Sequence, residues 1–163
     1  MTAAHEQELR LPPRSLIRTF WALHRLAYRL TGGRFGLARP ESGVRFGMMR
    51  VHSVGRRSGR SRIAIVGYYE DGPTLVTLAM NGWGAADPAW WLNLQAKPDT
   101  IVDLADGPRA VRARAVSGAE RERLWATFDD YPGWGADLDA LAGRRPKETP
   151  IVVFEPARVG ATS

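Results

Sequence analysis

The sequence lacks several of the residues on which enzymes most often rely. It contains no cysteine, which excludes disulfide bonds, thiolate zinc sites and cysteine nucleophiles. The three histidines, His5, His24 and His52, lie far apart without metal-ligand spacing, so we predict no metal site. No apolar run approaches the ~20 residues that a membrane-spanning helix needs, and the polar, initially acidic N-terminus is unlike a secretory signal. We therefore expect a cytoplasmic protein.

The common nucleotide-binding motifs are also absent. No G-x-G-x-x-G sequence follows a predicted strand, so a Rossmann dinucleotide site is not supported. The sequence GRRSGR at 55–60 lacks the Gly-Lys-Ser/Thr ending of a P-loop. A serine hydrolase would need a partnered histidine, and we interpret His52, the one histidine near a plausible site, as structural. An enzyme with so few acid-base and nucleophilic groups takes its chemistry from a cofactor.

Lysine is scarce, and positive charge is concentrated early in the chain. Lys97 and Lys147 are the only lysines among 23 basic residues. Thirteen arginines and a single acid, Glu41, lie between Arg10 and Arg62, whereas acids outnumber basic residues by 14 to 10 from Ile63 onward. The planar guanidinium group donates paired hydrogen bonds to phosphate or carboxylate. The clustering therefore predicts an anionic partner.

The N-terminal segment combines a tail with a basic helix. Residues 1–12 are predicted to be disordered, and residues 13–33 to form an amphipathic helix that ends at a Gly-Gly pair. The arginines fall on the side opposite an apolar stripe: Arg14, Arg18, Arg25 and Arg29. This pattern is typical of a helix in an anionic membrane interface, and equally of a helix packed on its own domain with arginines facing water. Peripheral contact with the inner face of a membrane is one of these two hypotheses.

Apolar, β-branched runs between turn residues predict six short strands. They cover residues 48–54, 62–69, 74–79, 100–104, 109–116 and 149–154. One helix is predicted from an Asp87 N-cap to Ala96, and another from Ser117, with Glu120 as its capping-box partner, to about Asp129. Because no β-α-β rhythm is present, the pattern favours an α+β fold, a mainly antiparallel barrel in a single domain over residues 1–163.

Three segments carry the chemistry of the middle of the chain. Residues 55–62 place four arginines in a glycine-punctuated turn, which favours a polyanion. Residues 81–84, Asn-Gly-Trp-Gly, follow a strand, and their small residues let a flat ring approach the backbone. The helix start at 87–94 offers free N–H groups to an anion. Each segment also has an ordinary structural explanation, but their order and spacing are more specific.

With these segments in this order, the sequence resembles the deazaflavin-dependent nitroreductase family over residues 12–156. The matching features are the arginine turn, the Asn-Gly loop, the P-x-W-W-x-N-L helix start at 88–94, and the closing strand at 149–153. The resemblance implies a split β-barrel with flanking helices, similar to FMN-binding proteins. It also implies bound coenzyme F-420, whose tail carries a phosphate and an oligoglutamate chain. The implied activity is hydride transfer from the reduced cofactor to an apolar conjugated acceptor, a quinone or a nitroaromatic.

The resemblance also implies which residues contact the cofactor. The phosphate and tail would bind Arg56, Arg57 and Ser58. The next strand would line the cofactor with Arg62, Ile63 and Ala64. The deazaflavin ring would contact backbone groups of Leu78, Ala79, Met80 and Asn81. The helix start would close the site with Ala89, Trp90 and Asn93.

The substrate side departs from the family. Where the nitroreductases have a run of tyrosines, this chain has Tyr131, Trp134 and Asp137. We assign the catalytic positions to Tyr131 and Trp134. Tryptophan has no acidic proton to give at neutral pH, which puts nitroimidazole reduction in question. Quinone-type acceptors stay open because they can draw their proton from solvent.

Two alternatives remain from the sequence. An FMN-binding reductase would use the same barrel, although a single phosphate needs fewer arginines. A non-catalytic basic module that binds anionic lipid or nucleic acid would use the positive segment alone, but it leaves the tryptophan-rich helix start unexplained. We expect a small apolar substrate and no nucleic acid, as either a monomer or a homodimer.

Overall fold

A computed structural model describes residues 36–132 and 137–157. The strands are β1 (Gly47–Val54), β2 (Ser61–Asp71), β3 (Thr74–Leu78), β4 (Asp99–Leu104), β5 (Gly107–Ala115) and β6 (Ile151–Pro156). The helices are α1 (Ala89–Ala96), α2 (Gly118–Asp129) and α3 (Leu138–Ala142). All of them belong to the second of two compact units, Leu37–Ser163. The predicted tail and N-terminal helix and Trp134 lie outside the described residues, and the single-domain assignment stays a prediction.

The six strands close into an antiparallel barrel in the order β1-β2-β3-β6-β5-β4. The seam between β4 and β1 pairs Arg50 with Asp103 and Val51 with Val102. Side chains reinforce it, because the Asp103 carboxylate lies 3.0 Å from Arg50 Nε and 2.7 Å from His52 Nε2. The predicted strands and the antiparallel barrel of the α+β class are confirmed, with strand ends shifted by one or two residues. The structural interpretation of His52 agrees with this contact.

The barrel interior is filled by alternate residues of its strands. In β1, buried residues at 47, 49, 51 and 53 alternate with partly exposed ones, as expected when one face of a strand points inward. Helix α1 adds Trp90, Trp91 and Leu94 to this interior. Trp90 packs against Phe154 of β6, with ring centroids 6.3 Å apart and planes 29° from parallel. The tryptophan pair of the helix start is therefore part of the core.

A second apolar cluster lies on the outer side of the sheet, where α2 and α3 pack. It joins Tyr69, Val76 and Leu78 of the strands to Phe128 and Leu138 of the helices. The Tyr69 hydroxyl donates to Leu124 O at 3.0 Å. Burial raises the pKa of Tyr69, so its hydroxyl stays a neutral hydrogen-bond donor at physiological pH.

The predicted helix caps are confirmed in part. Ser117 is the N-cap of α2, but its side chain makes no capping bond. The predicted capping box does not form, because Glu120 accepts a bidentate pair from Arg114 at 2.8 and 2.9 Å, and such charge-assisted pairs are strong. The N-cap of α1 is Pro88 rather than Asp87. Helix α3 was not predicted, and the Asp137 side chain caps it by accepting from the N–H of Asp139.

No helix within residues 36–132 and 137–157 has the length and apolarity required to cross a membrane.

Gly47→Ala should destabilise the barrel. An added Cβ would lie 2.6 Å from Tyr68 Cε1 and 2.8 Å from Ala38 O, and overpacking of this kind costs roughly 1–3 kcal/mol of unfolding free energy. Gly67→Ala on the neighbouring strand is the matched control, since its Cβ would lie at ordinary van der Waals distance, 3.7 Å from Phe46 Cβ and 3.8 Å from Gly47 O. Urea unfolding should show a lower midpoint for Gly47→Ala alone, and equal midpoints would contradict the packing argument.

Candidate functional site

The arginine turn, residues 55–62, connects β1 to β2 and displays its side chains to solvent. Gly55 N donates to Arg60 O at 2.8 Å and Gly59 N donates to Gly55 O at 2.7 Å, with Gly59 in the left-handed region at φ 64°. The exposed residues are Arg56, Arg57, Ser58, Arg60 and Arg62. Within the described part of the chain, no carboxylate forms an ion pair with these four arginines. The turn is thus a cluster of positive charge available to an anion.

Asn93 of α1 fixes this turn from behind. Its Oδ1 accepts from Arg56 N at 3.1 Å, and its Nδ2 donates to Ser53 Oγ at 3.2 Å. Asn93 is 4% exposed, so both amide atoms are used inside the protein. The structure therefore places Asn93 as a support for the turn.

An apolar groove of about 170 Å³ lies farther along β2. It is lined by Phe46, Ile65, Val66, Gly67, Thr77, Leu78, Met80 and Phe128. Thr77 Oγ1 donates to Gly67 O at 2.6 Å, so this hydroxyl is already engaged. Ile65 lies roughly 10 Å from Arg62 at the spacing of an extended strand, on the opposite face of β2. The turn and the groove are therefore close enough for one elongated molecule with an anionic tail and a flat apolar ring to contact both.

The residues predicted to contact the ring divide between the groove and the interior. Leu78 and Met80 line the groove, whereas Ala79 is fully buried and its N–H donates to Pro150 O at 2.9 Å. Asn81 is exposed, and its carbonyl accepts from Gly84 N at 3.0 Å. On β2, Ile63 is exposed and Ala64 packs against the barrel interior.

At the helix start, Ala89 is exposed while the Trp90 ring is buried in the barrel core. Ala89 therefore lies open to a ligand, and Trp90 acts through packing.

Tyr131 supports one wall of the groove. It is 5% exposed, and its ring stacks on Phe46 with centroids 4.4 Å apart and planes 16° from parallel. The Tyr69 ring also stacks on the Tyr131 ring, with centroids 5.7 Å apart. Since Phe46 lines the groove, Tyr131 lies directly behind that wall. Trp134, the other predicted catalytic residue, lies outside the described residues.

A partly buried ionic network around Asp87, in the segment between β3 and α1, was missed by sequence reasoning. Arg145, whose side chain is fully buried, lies 2.7 Å from Asp87 Oδ1, and Lys147 lies 2.7 Å from Asp87 Oδ2. Burial raises the pKa of Asp87, but the hydrogen bonds from Lys147 and Arg145 outweigh it and hold the pKa below its usual value. In the sequence Arg145 is one of two adjacent arginines, and no local signal distinguishes it from a surface residue.

A larger groove, of about 400 Å³, lies along β1 and β4 and includes His52, Lys97 and Ile101. None of the residues predicted to contact the ring lines it. Nor does any cluster of three or more histidines and carboxylates that could hold a metal occur within the described ranges. The arginine turn and the apolar groove are therefore the best candidate site.

Comparison with known sequences identifies a family. The family model for F420H(2)-dependent quinone reductases matches residues 22–156. A Mycobacterium tuberculosis protein named for this activity is 31% identical over 102 residues, which covers 62% of this chain and 82% of that protein. A second protein of that organism, also named an F420H(2)-dependent quinone reductase, is 29% identical over 110 residues, covering 66% and 72%.

Solved structures show the same fold. A structure described as a domain-swapped dimer superposes with a TM-score of 0.60 at 23% identity, covering 85% of this chain and 99% of that one. An F420-H2-dependent reductase superposes with a TM-score of 0.57 at 21% identity, covering 74% and 100%. The predicted split-barrel fold is confirmed.

Asn93→Leu should loosen the arginine turn, because the Arg56 N–H loses its acceptor. We expect the Arg56 amide to exchange with solvent about tenfold faster or more, as befits a lost hydrogen bond. Ser53→Ala is the matched control, since it removes the other hydrogen bond of Asn93 and leaves the bond to the turn. Amide exchange can be followed by NMR. If the Arg56 N–H exchanged at the same rate in both variants, the role of Asn93 would be contradicted.

Proposed function

The chain belongs to the F420H(2)-dependent quinone reductase family, and we propose that its arginine turn and apolar groove bind coenzyme F-420 and the electron acceptor. It is an oxidoreductase that passes hydride from the reduced cofactor to a quinone-type acceptor. The observation that carries the site assignment is that the arginine turn leads directly into β2 and the groove lies farther along the same strand. The four arginines of the turn are exposed and form no ion pair with a carboxylate of the described residues.

The arginine turn fits the tail of the cofactor. A phosphate followed by several carboxylates presents more negative charge than one guanidinium can neutralise, and the turn exposes Arg56, Arg57, Arg60 and Arg62 together. Charge-assisted hydrogen bonds from arginine to phosphate are roughly twice as strong as neutral ones. FMN, with a single phosphate, would leave part of this charge unmatched, so the turn supports the deazaflavin.

The groove fits the ring and the acceptor. When bound, the reduced deazaflavin supplies a hydride, and the quinone takes up this hydride and one proton to become the hydroquinone. Phe46, Phe128 and Met80 give the groove flat or polarisable apolar walls, which suit a conjugated ring. None of the described residues that line the groove ionises near neutral pH, which supports a proton drawn from solvent. This arrangement supports a quinone more directly than an acceptor that needs an enzymic acid.

The N-terminal segment and the assembly remain proposals. The sequence pattern of residues 13–33, which predicts a helix with arginines opposite an apolar stripe, supports peripheral contact with an anionic membrane, where lipophilic quinones dissolve. Domain swapping describes a structurally similar protein, and for this chain a monomer and a homodimer both stay open.

The double variant Arg57→Ala/Arg62→Ala should lose affinity for the cofactor while it stays folded. Each charge-assisted hydrogen bond is worth about 1.5–3 kcal/mol, so we expect binding of oxidised coenzyme F-420 to weaken about 100-fold or more. Arg112→Ala is the control, because Arg112 is an exposed arginine of β5 that pairs with Asp99. Titrations followed by tryptophan fluorescence, with FMN in parallel, test both turn and cofactor. Unchanged affinity of the double variant would remove the turn from the site.

Tyr131→Phe should retain turnover, because the ring that supports Phe46 is kept and solvent supplies the proton. We expect kcat/KM for menadione with the reduced cofactor to change by less than about threefold, whereas loss of a general acid would cost about 10²- to 10⁴-fold. Tyr131→Ala removes the ring and should lower kcat/KM. A large loss in Tyr131→Phe would instead assign proton donation to the hydroxyl.

A further inference from the structure

The loop that connects β3 to α1, residues 81–88, holds an unfavourable backbone conformation. Gly82 and Trp83 both adopt positive φ, 58° and 62°. Trp83 is the one non-glycine residue with positive φ among those described. A bulky side chain rarely adopts this conformation unless surrounding contacts impose it. The loop therefore requires something to hold it.

Arg145 makes the contacts that hold this loop. Its Nε donates to Gly84 O at 3.0 Å and a terminal nitrogen donates to Asp87 Oδ1 at 2.7 Å. The other terminal nitrogen donates to Thr149 Oγ1 at 2.9 Å. Gly84 and Asp87 belong to the loop, whereas Thr149 precedes β6. A single guanidinium group thus connects two points of the loop to the residue just before β6, the strand that pairs with β3.

Because the Arg145 side chain is buried, loss of any of these hydrogen bonds would be costly. The Arg145 side chain is fully buried and that of Asp87 is 11% exposed, so neither charge is satisfied by bulk water if the other moves away. Lys147 binds the second Asp87 oxygen from a half-exposed position. Lys147 contacts the same carboxylate as Arg145 but, within the part of the chain that the structure describes, forms no hydrogen bond to the loop backbone.

The loop is next to the proposed site on both sides. Met80, which precedes it, lines the apolar groove. Trp83 packs against the outer cluster that contains Tyr131 and Phe128. Ala89, which follows the loop, is the exposed start of α1. A shift of the loop would therefore move the groove wall and the helix start together.

We propose that Arg145 is a positioning residue, which clamps loop 81–88 and thereby sets the place of Met80 and Trp83 beside the reacting rings. Its effect on catalysis rests on the proposed function of the groove; its hold on the loop does not. Holding the loop in this way requires an arginine, because its planar guanidinium group can donate to a backbone carbonyl, a carboxylate and a hydroxyl at the same time. A lysine keeps the charge but cannot reproduce the three directions.

The test compares Arg145→Lys with Lys147→Met. The first keeps the positive charge beside Asp87 and loses the fork, whereas the second removes a bond to the same carboxylate and keeps the fork. Near-UV circular dichroism without cofactor reports on the loop, once the contribution of Trp83 is identified by difference from Trp83→Phe. We expect Arg145→Lys to stay folded and lose the Trp83 signal, and Lys147→Met to keep it.

Kinetics separates positioning from a purely structural role. With reduced coenzyme F-420 and menadione, well below the melting temperature, Arg145→Lys should lower kcat about tenfold or more through misplaced reactants. Its KM for menadione should change much less, and Lys147→Met should match the wild type. Wild-type kcat in a folded Arg145→Lys that has lost the Trp83 signal would show that the clamp holds the loop without serving catalysis, and would overturn the positioning role.

If Arg145→Lys fails to fold, Asp87→Asn tests the same clamp with a smaller change, since the side chain keeps its shape and loses its charge. It should weaken the Trp83 signal and lower kcat in the same direction. A folded variant with wild-type signal and wild-type kcat, by either substitution, overturns the proposal. If the wild-type protein itself does not bind coenzyme F-420, the proposed function fails, while the circular dichroism comparison still decides whether Arg145 holds the loop.

Discussion

The architecture depends on the closure of the barrel between β1 and β4. Backbone pairing across this seam joins two residue pairs, and the side chains of Arg50 and His52 both contact Asp103 across it. Closure leaves no open sheet edge and encloses the apolar interior. It also fixes β2 next to β1, so that the arginine turn and the apolar groove have a rigid strand in common. A site that must hold a long ligand at two distant points needs such a support.

The two parts of the site contribute different kinds of binding energy. The arginine turn can bind a charged tail far from the reacting atoms, whereas the side chains that line the groove are mostly apolar and the Thr77 hydroxyl is already engaged. Binding energy gained at a remote tail can be used to orient the reacting ring. The chain supplies orientation and an apolar environment, and the redox chemistry belongs to the cofactor. This division agrees with a sequence that has no cysteine and few histidines.

The sequence predicted the features that depend on local pattern and missed those that depend on distant partners. The six strands and α1 follow from apolar runs bounded by turn residues, and the arginine turn was visible as four arginines in eight residues that include two glycines. The capping role of Glu120 failed because Arg114, on a neighbouring strand, takes its carboxylate. Arg145 was missed because its partners Gly84 and Asp87 lie 61 and 58 residues away along the chain. Tyr131 was placed near the substrate by resemblance, but only the fold shows that its ring is stacked behind Phe46.

Asn93 joins the arginine turn to a helix whose other side chains fill the barrel. Under the proposed assignment, cofactor binding and folding would be thermodynamically linked, because the arginine turn has this shape only in the folded protein. At a free cofactor concentration of 100 times Kd, such linkage adds about 2.7 kcal/mol to the stability of the folded state. If the cofactor binds at the turn, the unfolding temperature of this protein will rise with the concentration of free cofactor.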